Sequence, residues 1–279
     1  MRVHENETCK KYNVLRQLRA FIVRNSNLTK RYWEWEIVFL IYHTVSALAI
    51  GFLATSMDPT GQKFDSLLLF LLIGSVMWVY LSSIFNEVGN QIGYERWEGT
   101  IEYTFMAPVK RIVHLLGNST FAVIYGIART AIVLAFVIML FAINISNANI
   151  LAAFVILIVS AFSFIGLGMI ASIAPLMSPE RGSQALQIFS ALMMLVSGIY
   201  YEISILPGWM QAISKISPAT YALEGMRKAL IEGASISSLG LSHLVPLALM
   251  GVIFIPLGMF IFSRAEKIAK KKGQLKRNG

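Results

Sequence analysis

The sequence predicts an all-α membrane protein with six transmembrane helices, and three observations carry that prediction. Hydrophobic residues make up 56% of the chain and charged residues only 14%, against about 25% charged in an ordinary soluble domain. Mean hydropathy is +0.64, so too few polar residues remain to clothe a water-facing surface. Six apolar runs are long enough to cross a hydrocarbon core of about 30 Å, which takes about 20 helical residues. Finally, the 24 Lys and Arg gather at the two ends, eight in residues 1–36 and seven in 264–279. Charge flanking a hydrophobic block suits retention on an anionic lipid surface. A nucleic-acid partner is therefore not expected, although the net charge is +9.

The elements follow in order. Residues 1–36 form a cytoplasmic N-terminal segment. Within it, residues 12–24 set Val14, Leu15, Leu18, Phe21 and Ile22 at helical spacing, with Arg16, Arg19 and Arg24 elsewhere around the wheel. That pattern suits a helix lying in the membrane interface, followed by the aromatic anchors Tyr32, Trp33 and Trp35. The expected spans are 37–57, 67–85, 119–143, 150–175, 186–206 and 244–263. These continuous runs lack the alternation of barrel strands, so the spans are helices. Residues 264–279 form a basic cytoplasmic tail. With the N-terminus inside, nineteen Lys and Arg fall on the cytoplasmic side and four outside, Arg129 lying within a span. Both termini are therefore expected in the cytoplasm of a multi-pass plasma-membrane protein. The first apolar run begins too late and is too long for a signal peptide. Cys9 is the only cysteine, so no internal disulfide forms. The sequons at Asn6, Asn27, Asn118 and Asn144 read as chance occurrences at inner or membrane-edge positions.

The cytoplasmic stretch 86–118 is too long for a simple helix connection. Glu95, Arg96, Glu98 and Glu102 cluster around Trp97, broken by Gly99 and ended by Pro108. A short exposed helix with charges and one large aromatic has the composition of a protein-docking element. A solvated loop with Trp97 resting at the interface fits the composition as well. Glu98 and Glu102 could share a helix face as an acid/base pair does, but no nucleophile or pocket accompanies them.

The run Glu95-Arg96-Trp97-Glu98-Gly99-Thr100-Ile101-Glu102, then Ala107-Pro108, Arg111 and Gly117, resembles the loop after the second span in type-2 ABC transporter permeases. Downstream, Ser197-Gly198-Ile-Tyr-Tyr, Leu206-Pro207-Gly-Trp209, Ser217-Pro218-Ala-Thr-Tyr221, Arg227 and Gly233 resemble that family's fifth span and outer re-entrant segment. The resemblance covers roughly residues 12–263, and departs at Glu202, where a proline often follows the tyrosines. It implies that 37–263 is a six-span permease domain. It further implies pairing with a second permease copy or paralogue and with two cytoplasmic ATPase subunits. The segment around Glu95–Glu102, with Thr100, Pro108 and Arg111, would be the coupling helix seated in a groove of the ATPase.

No Gly-x-x-x-x-Gly-Lys-Ser/Thr run occurs, so ATP and Mg would be bound by the partner ATPase. The isolated histidines at 4, 43, 114 and 243 make no zinc signature, and no Gly-x-Ser-x-Gly elbow appears. The chain is thus expected to be a transport subunit and not an enzyme, with no cofactor, catalytic or metal site of its own. Arg129 lies about ten residues into the third expected span and should face protein or water. It either lines a path and meets an anionic substrate group, or pairs between helices with Glu202 or Glu87. Residues 207–243, too polar to span, suit two short re-entrant or interfacial helices at the outer mouth. The alternative to an ATP-driven exporter is an ion-gradient-driven secondary transporter. That class would need intramembrane carboxylates and inverted repeats, and the spans hold few of the former.

Overall fold

The computed structural model describes residues 14–57, 64–141 and 147–271. Cys9, Asn6, Asn144, the start of the N-terminal segment, the first inter-span connection at 58–63 and the tail at 272–279 lie outside the described residues. Every regular element among the described residues is helical. Helix α1 (Val14–Arg31) precedes α2 (Trp33–Met57) and α3 (Phe64–Trp97), and a short α4 (Ile101–Met106) leads into α5 (Arg111–Phe141). Next come α6 (Ile150–Ala171), α7 (Ile173–Met177) and α8 (Pro179–Val196). A 3₁₀ turn (Ile203–Ile205), α9 (Gly208–Ser214), α10 (Pro218–Ile231), α11 (Ile236–Leu239) and a π-helical stretch (Gly240–Leu244) lead to α12 (Val245–Lys271).

By length and composition, five stretches among the described residues can cross a membrane: Trp33–Ser56, Leu67–Trp97, Arg111–Phe141, Ile150–Met177 and Ile236–Lys271. The protein is therefore a multi-pass α-helical membrane protein. Helix α3 forms the centre. Its 34 residues reach about 51 Å at 1.5 Å per residue, and Tyr80, Leu81, Ile84, Phe85 and Ile92 are fully buried along it. The Tyr80 hydroxyl donates to the Leu157 carbonyl of α6 at 2.9 Å, so the largest polar group in this core has a partner. Helix α2 and the outer side of α12 expose apolar side chains such as Phe52, Val252 and Phe260, as lipid-facing or partner-facing helices do.

Helices α6 and α12 pack through small residues. A Cβ on Gly166 would sit 2.5 Å from the Phe254 Cβ, and one on Gly258 2.9 Å from the Met169 Cβ. Ser163 donates across the pair to the Leu247 carbonyl at 2.6 Å. With lipid tails as apolar as Leu, such close backbone approach and interhelical hydrogen bonding drive helix association.

The expected fifth span, 186–206, differs in extent. Helix α8 starts earlier, stops at Val196 and gives way to a turn in which Gly198 has φ +68°. Arg227 accounts for the early stop. Its guanidinium donates to the Gly198 carbonyl at 2.9 Å and to the Ile199 carbonyl at 2.7 Å, and lies 3.5 Å above the Phe70 ring. These bonds take up carbonyls that a continuing helix would have used. The segment after α8 does contain two short helices, α9 and α10. Helix α10, about 21 Å long, buries Ala219, Ala222, Leu223 and Met226, and the Asn149 amide that opens α6 donates to its Ala229 carbonyl at 2.9 Å.

Candidate functional site

The segment between α3 and α5 forms a braced elbow. Helix α3 does not break at residue 86 but continues to Trp97, so the short exposed helix expected around Trp97 begins one turn later, at Ile101. The break is a glycine turn. Gly99 has φ +71°, its amide donates to the Arg96 carbonyl at 3.0 Å, and the Thr100 amide donates to the Glu95 carbonyl at 2.8 Å. A left-handed glycine just past a helix end lets these two bonds close back on the last turn.

The structure divides the charged cluster into inward and outward members. Glu95 is 2% exposed. Its Oε1 accepts from Arg24 Nη2 at 2.8 Å and lies 2.7 Å from His114 Nε2, so one carboxylate ties α1, α3 and α5 together. The Phe21 ring packs on His114 at 5.0 Å between centroids, and Asn25 donates to Asn118 at 3.0 Å beside it. Arg96 is also buried and donates to the Leu176 carbonyl of α7 at 2.8 Å. Glu98 accepts from the Tyr32 hydroxyl at 2.6 Å and faces Arg31 at 3.5 Å. That hydrogen bond to a carboxylate raises the Tyr32 phenol above its ordinary value.

The outward face carries Trp97, Glu102, Tyr103, Met106 and Pro108. Trp97, Tyr103 and Met106 are 65%, 74% and 75% exposed. Arg111 clamps this face to the bundle. It donates to the Thr104 carbonyl at 3.1 Å and the Phe105 carbonyl at 2.7 Å, pairs with Glu266 of α12 at 3.0 Å and stacks 4.1 Å over the Phe105 ring. A cation at the C-terminal carbonyls of α4 satisfies groups that the helix leaves open. Arg111→Ala is expected to raise amide exchange over Ile101–Met106 by about tenfold or more, since hydrogen bonds to a charged group are worth about 1.5–3 kcal/mol. Unchanged exchange there would show that α4 holds itself in place.

These contacts also gather charge. The Arg24–Glu95 and Arg111–Glu266 pairs place α1 and the last turns of α12, with Arg264, Lys267, Lys270 and Lys271, at the elbow end of the bundle.

Arg129 does not reach Glu202. It pairs with Glu36, in the first turn of α2, at 2.8 Å, and also contacts the Tyr125 hydroxyl, which donates to the same carboxylate. Helical side chains lean towards their helix N-terminus, so Arg129 reaches back along α5 to a carboxylate at the start of another helix. Glu202 lines a separate cleft of about 400 Å³ with Glu224, Arg227 and Lys228, and accepts from Ser204 at 3.3 Å. Three organising residues escaped the sequence reading: Arg24, His114 and Glu36. His114 carries no spacing signal, and the helical spacing of residues 12–24 marks Arg24 only as one of three arginines off the apolar stripe. Glu36 sits one helical turn after Tyr32 at the very edge of an apolar run, where a carboxylate has reason to be only if it has a partner.

The profile of the ABC-2 type transporter family matches residues 16–231. The daunorubicin resistance ABC transporter permease protein DrrB1 of Streptomyces coeruleorubidus is 32% identical over 118 residues, covering 41% of this chain and 40% of that protein. The likeness thus spans well under half of the relative's length. The family match extends from α1 through α3, the elbow and α5 to α10, and on it this chain belongs to the ABC-2 type transporter family of membrane permeases.

Proposed function

We propose that the chain is the permease subunit of an ATP-binding-cassette exporter, driven by ATP and Mg bound in a separate cytoplasmic ATPase. The observation that carries the proposal is the elbow. Trp97 at the end of α3 and Tyr103 and Met106 on the short α4 stand largely exposed on an elbow that Glu95, Gly99 and Arg111 brace against the long helices. Exposed aromatic side chains on a preorganised support are what a protein partner buries as anchors. Glu102 and Pro108 border the patch, whereas Glu95, Arg96 and Arg111 act behind it as its supports. In this reading the elbow end is cytoplasmic, consistent with the basic residues gathered there, and both termini lie on that side. Helix α8, about 27 Å long, makes a short fifth crossing that α9 and α10 complete at the outer mouth, giving six spans. A second permease copy covers part of the exposed apolar surface and lipid the rest. The relative named for daunorubicin resistance favours a drug-like, amphiphilic cargo.

The test is a mild-detergent pull-down of the tagged chain from its native membrane, with partners identified by mass spectrometry. A soluble ATPase should be recovered with the wild type. Substituting Trp97, Tyr103 and Met106 together by Asp should cut that recovery at least tenfold, because hot-spot truncations cost about 2 kcal/mol or more, while the chain stays in the membrane. Wild-type chain recovered without any ATPase would sink the proposal.

A further inference from the structure

Helices α1, α2, α3, α5 and α8 border an open groove of about 740 Å³, within the range of cavities that hold drug-sized ligands, about 300–1,000 Å³. Its walls are unusual for a lipid-facing surface. The aromatic rings of Phe39, Tyr42, Trp78 and Tyr94 line it together with the polar side chains of Asn90 and Gln187.

Among the described residues, four charged side chains border this space: Glu36, Glu87, Glu98 and Arg129. Three of them are committed elsewhere. Glu36 is taken by Arg129 and Tyr125, and Glu98 by Tyr32 and Arg31. The Arg129 guanidinium is further enclosed by rings, 4.5 Å from the Tyr125 centroid and 5.6 Å from that of Phe39. Glu87 is the remaining member. Among the described residues it makes no hydrogen bond and no ion pair, and the Arg129 charge acts on it only across space. Ten residues of helix separate it from Trp97, about 15 Å, and it falls within the membrane-crossing stretch Leu67–Trp97. A carboxylate at such a position is costly without a counter-charge and marks a ligand path by default.

The groove therefore carries one carboxylate more than its cations balance, and aromatic rings line the same space. We propose that it binds an amphiphilic organic cation, the positive nitrogen against Glu87 and the apolar body among Phe39, Tyr42, Trp78 and Tyr94. Carboxylate attraction and the negative faces of aromatic rings both select positive charge. An anionic ligand is disfavoured because Arg129, the one Lys or Arg lining the groove among the described residues, is already neutralised by Glu36. This proposal rests on the permease reading and names its substrate class.

The experiment measures saturable binding of radiolabelled tetraphenylphosphonium to the full-length chain, purified with its co-purifying subunits in an uncharged detergent. Neutral triphenylphosphine oxide is the control. The wild type should bind the cation saturably and the neutral compound at least tenfold more weakly. Glu87→Gln should weaken cation binding at least tenfold, with Glu87→Asp staying within a few-fold of wild type. Equal cation affinity in Glu87→Gln, or equal preference for the neutral compound in the wild type, would overturn the proposal. So would loss of the co-purifying ATPase in Glu87→Gln, since Glu87 would then be a structural support. Cation binding by a wild-type chain that recovers no ATPase would sink the permease reading and leave the groove assignment standing.

Discussion

Glu95→Ala should lower the thermal unfolding midpoint of the detergent-solubilised chain by roughly 6–20 °C. The substitution removes the acceptor shared by Arg24 and His114 and leaves both donors facing each other in a site where His114 is fully buried. Breaking a buried pair by deleting one partner costs about 3–5 kcal/mol. In a chain of this size each kcal/mol moves the midpoint by about 2–4 °C. The damage should be local at first. Helix α1 is fastened to the bundle through Arg24, Phe21 and Asn25, so limited proteolysis should cut within Val14–Arg31 sooner in the variant. Glu95→Gln keeps the shape and one acceptor oxygen but loses the charge, and should fall between the two. A midpoint within 2 °C of wild type for Glu95→Ala, the low end of that range, would show that the three helices are held by packing alone.

Gly74→Val should have a comparable effect at the opposite end of α3. A Cβ at Gly74 would lie 2.1 Å from the Ile199 carbonyl oxygen and 2.9 Å from Arg227 Nη2. The first neighbour is backbone and cannot rotate away, so the turn after α8 must move. Overpacking alone costs about 1–3 kcal/mol, and displaced Arg227 would forfeit bonds to the Gly198 and Ile199 carbonyls, each worth about 1.5–3 kcal/mol. The effect should show as poor recovery of monodisperse protein. It should also show as faster labelling by a membrane-impermeant thiol reagent of a cysteine placed at Glu202, in a background where Cys9 is serine. Gly208→Ala is the control, because nothing lies within 4 Å of a Cβ there. Equal labelling rates for the Gly74 variant and this control would show that the turn tolerates the displacement.

The long helices were legible because their cause is compositional: apolar runs long enough to cross lipid have few other fates. Their ends were less so. Residues 86–97 are polar, and hydropathy ends the span there, but helix α3 continues because its inward stripe does not stop. Leu81, Ile84, Phe85, Val88 and Ile92 are buried at helical spacing, and Glu95 and Arg96 continue that stripe with charged groups that meet partners instead of solvent. Following the phase of that stripe would have separated the supports Glu95 and Arg96 from the exposed Trp97 without any coordinates. The early stop of α8 was hidden because residues 199–206 are still apolar enough to extend a span. Only Gly198 signals the turn, and the group that closes it, Arg227, comes 29 residues later. Arg129 and Glu36 are 93 residues apart, and no local pattern joins them. Long-range partners of single charges follow from tertiary packing, which one sequence read by periodicity does not contain.

Because α3 runs unbroken from Gly74 to Trp97, the elbow, the Glu87 groove and the Arg227 turn share one stiff rod. A helix transmits displacement with little compression, its hydrogen bonds and packed neighbours resisting shortening. A tilt of roughly 10° about the middle of a rod about 51 Å long would swing each end by about 4 Å in opposite directions. A closing movement at Trp97 would therefore be an opening movement at the far mouth, with Tyr80 and Leu81 at the pivot and Glu87, about 10 Å from it, moving less than half as far as either end. A ligand held there would be handed from one opening to the other without itself travelling far, and the stroke would be set by the length of a single helix.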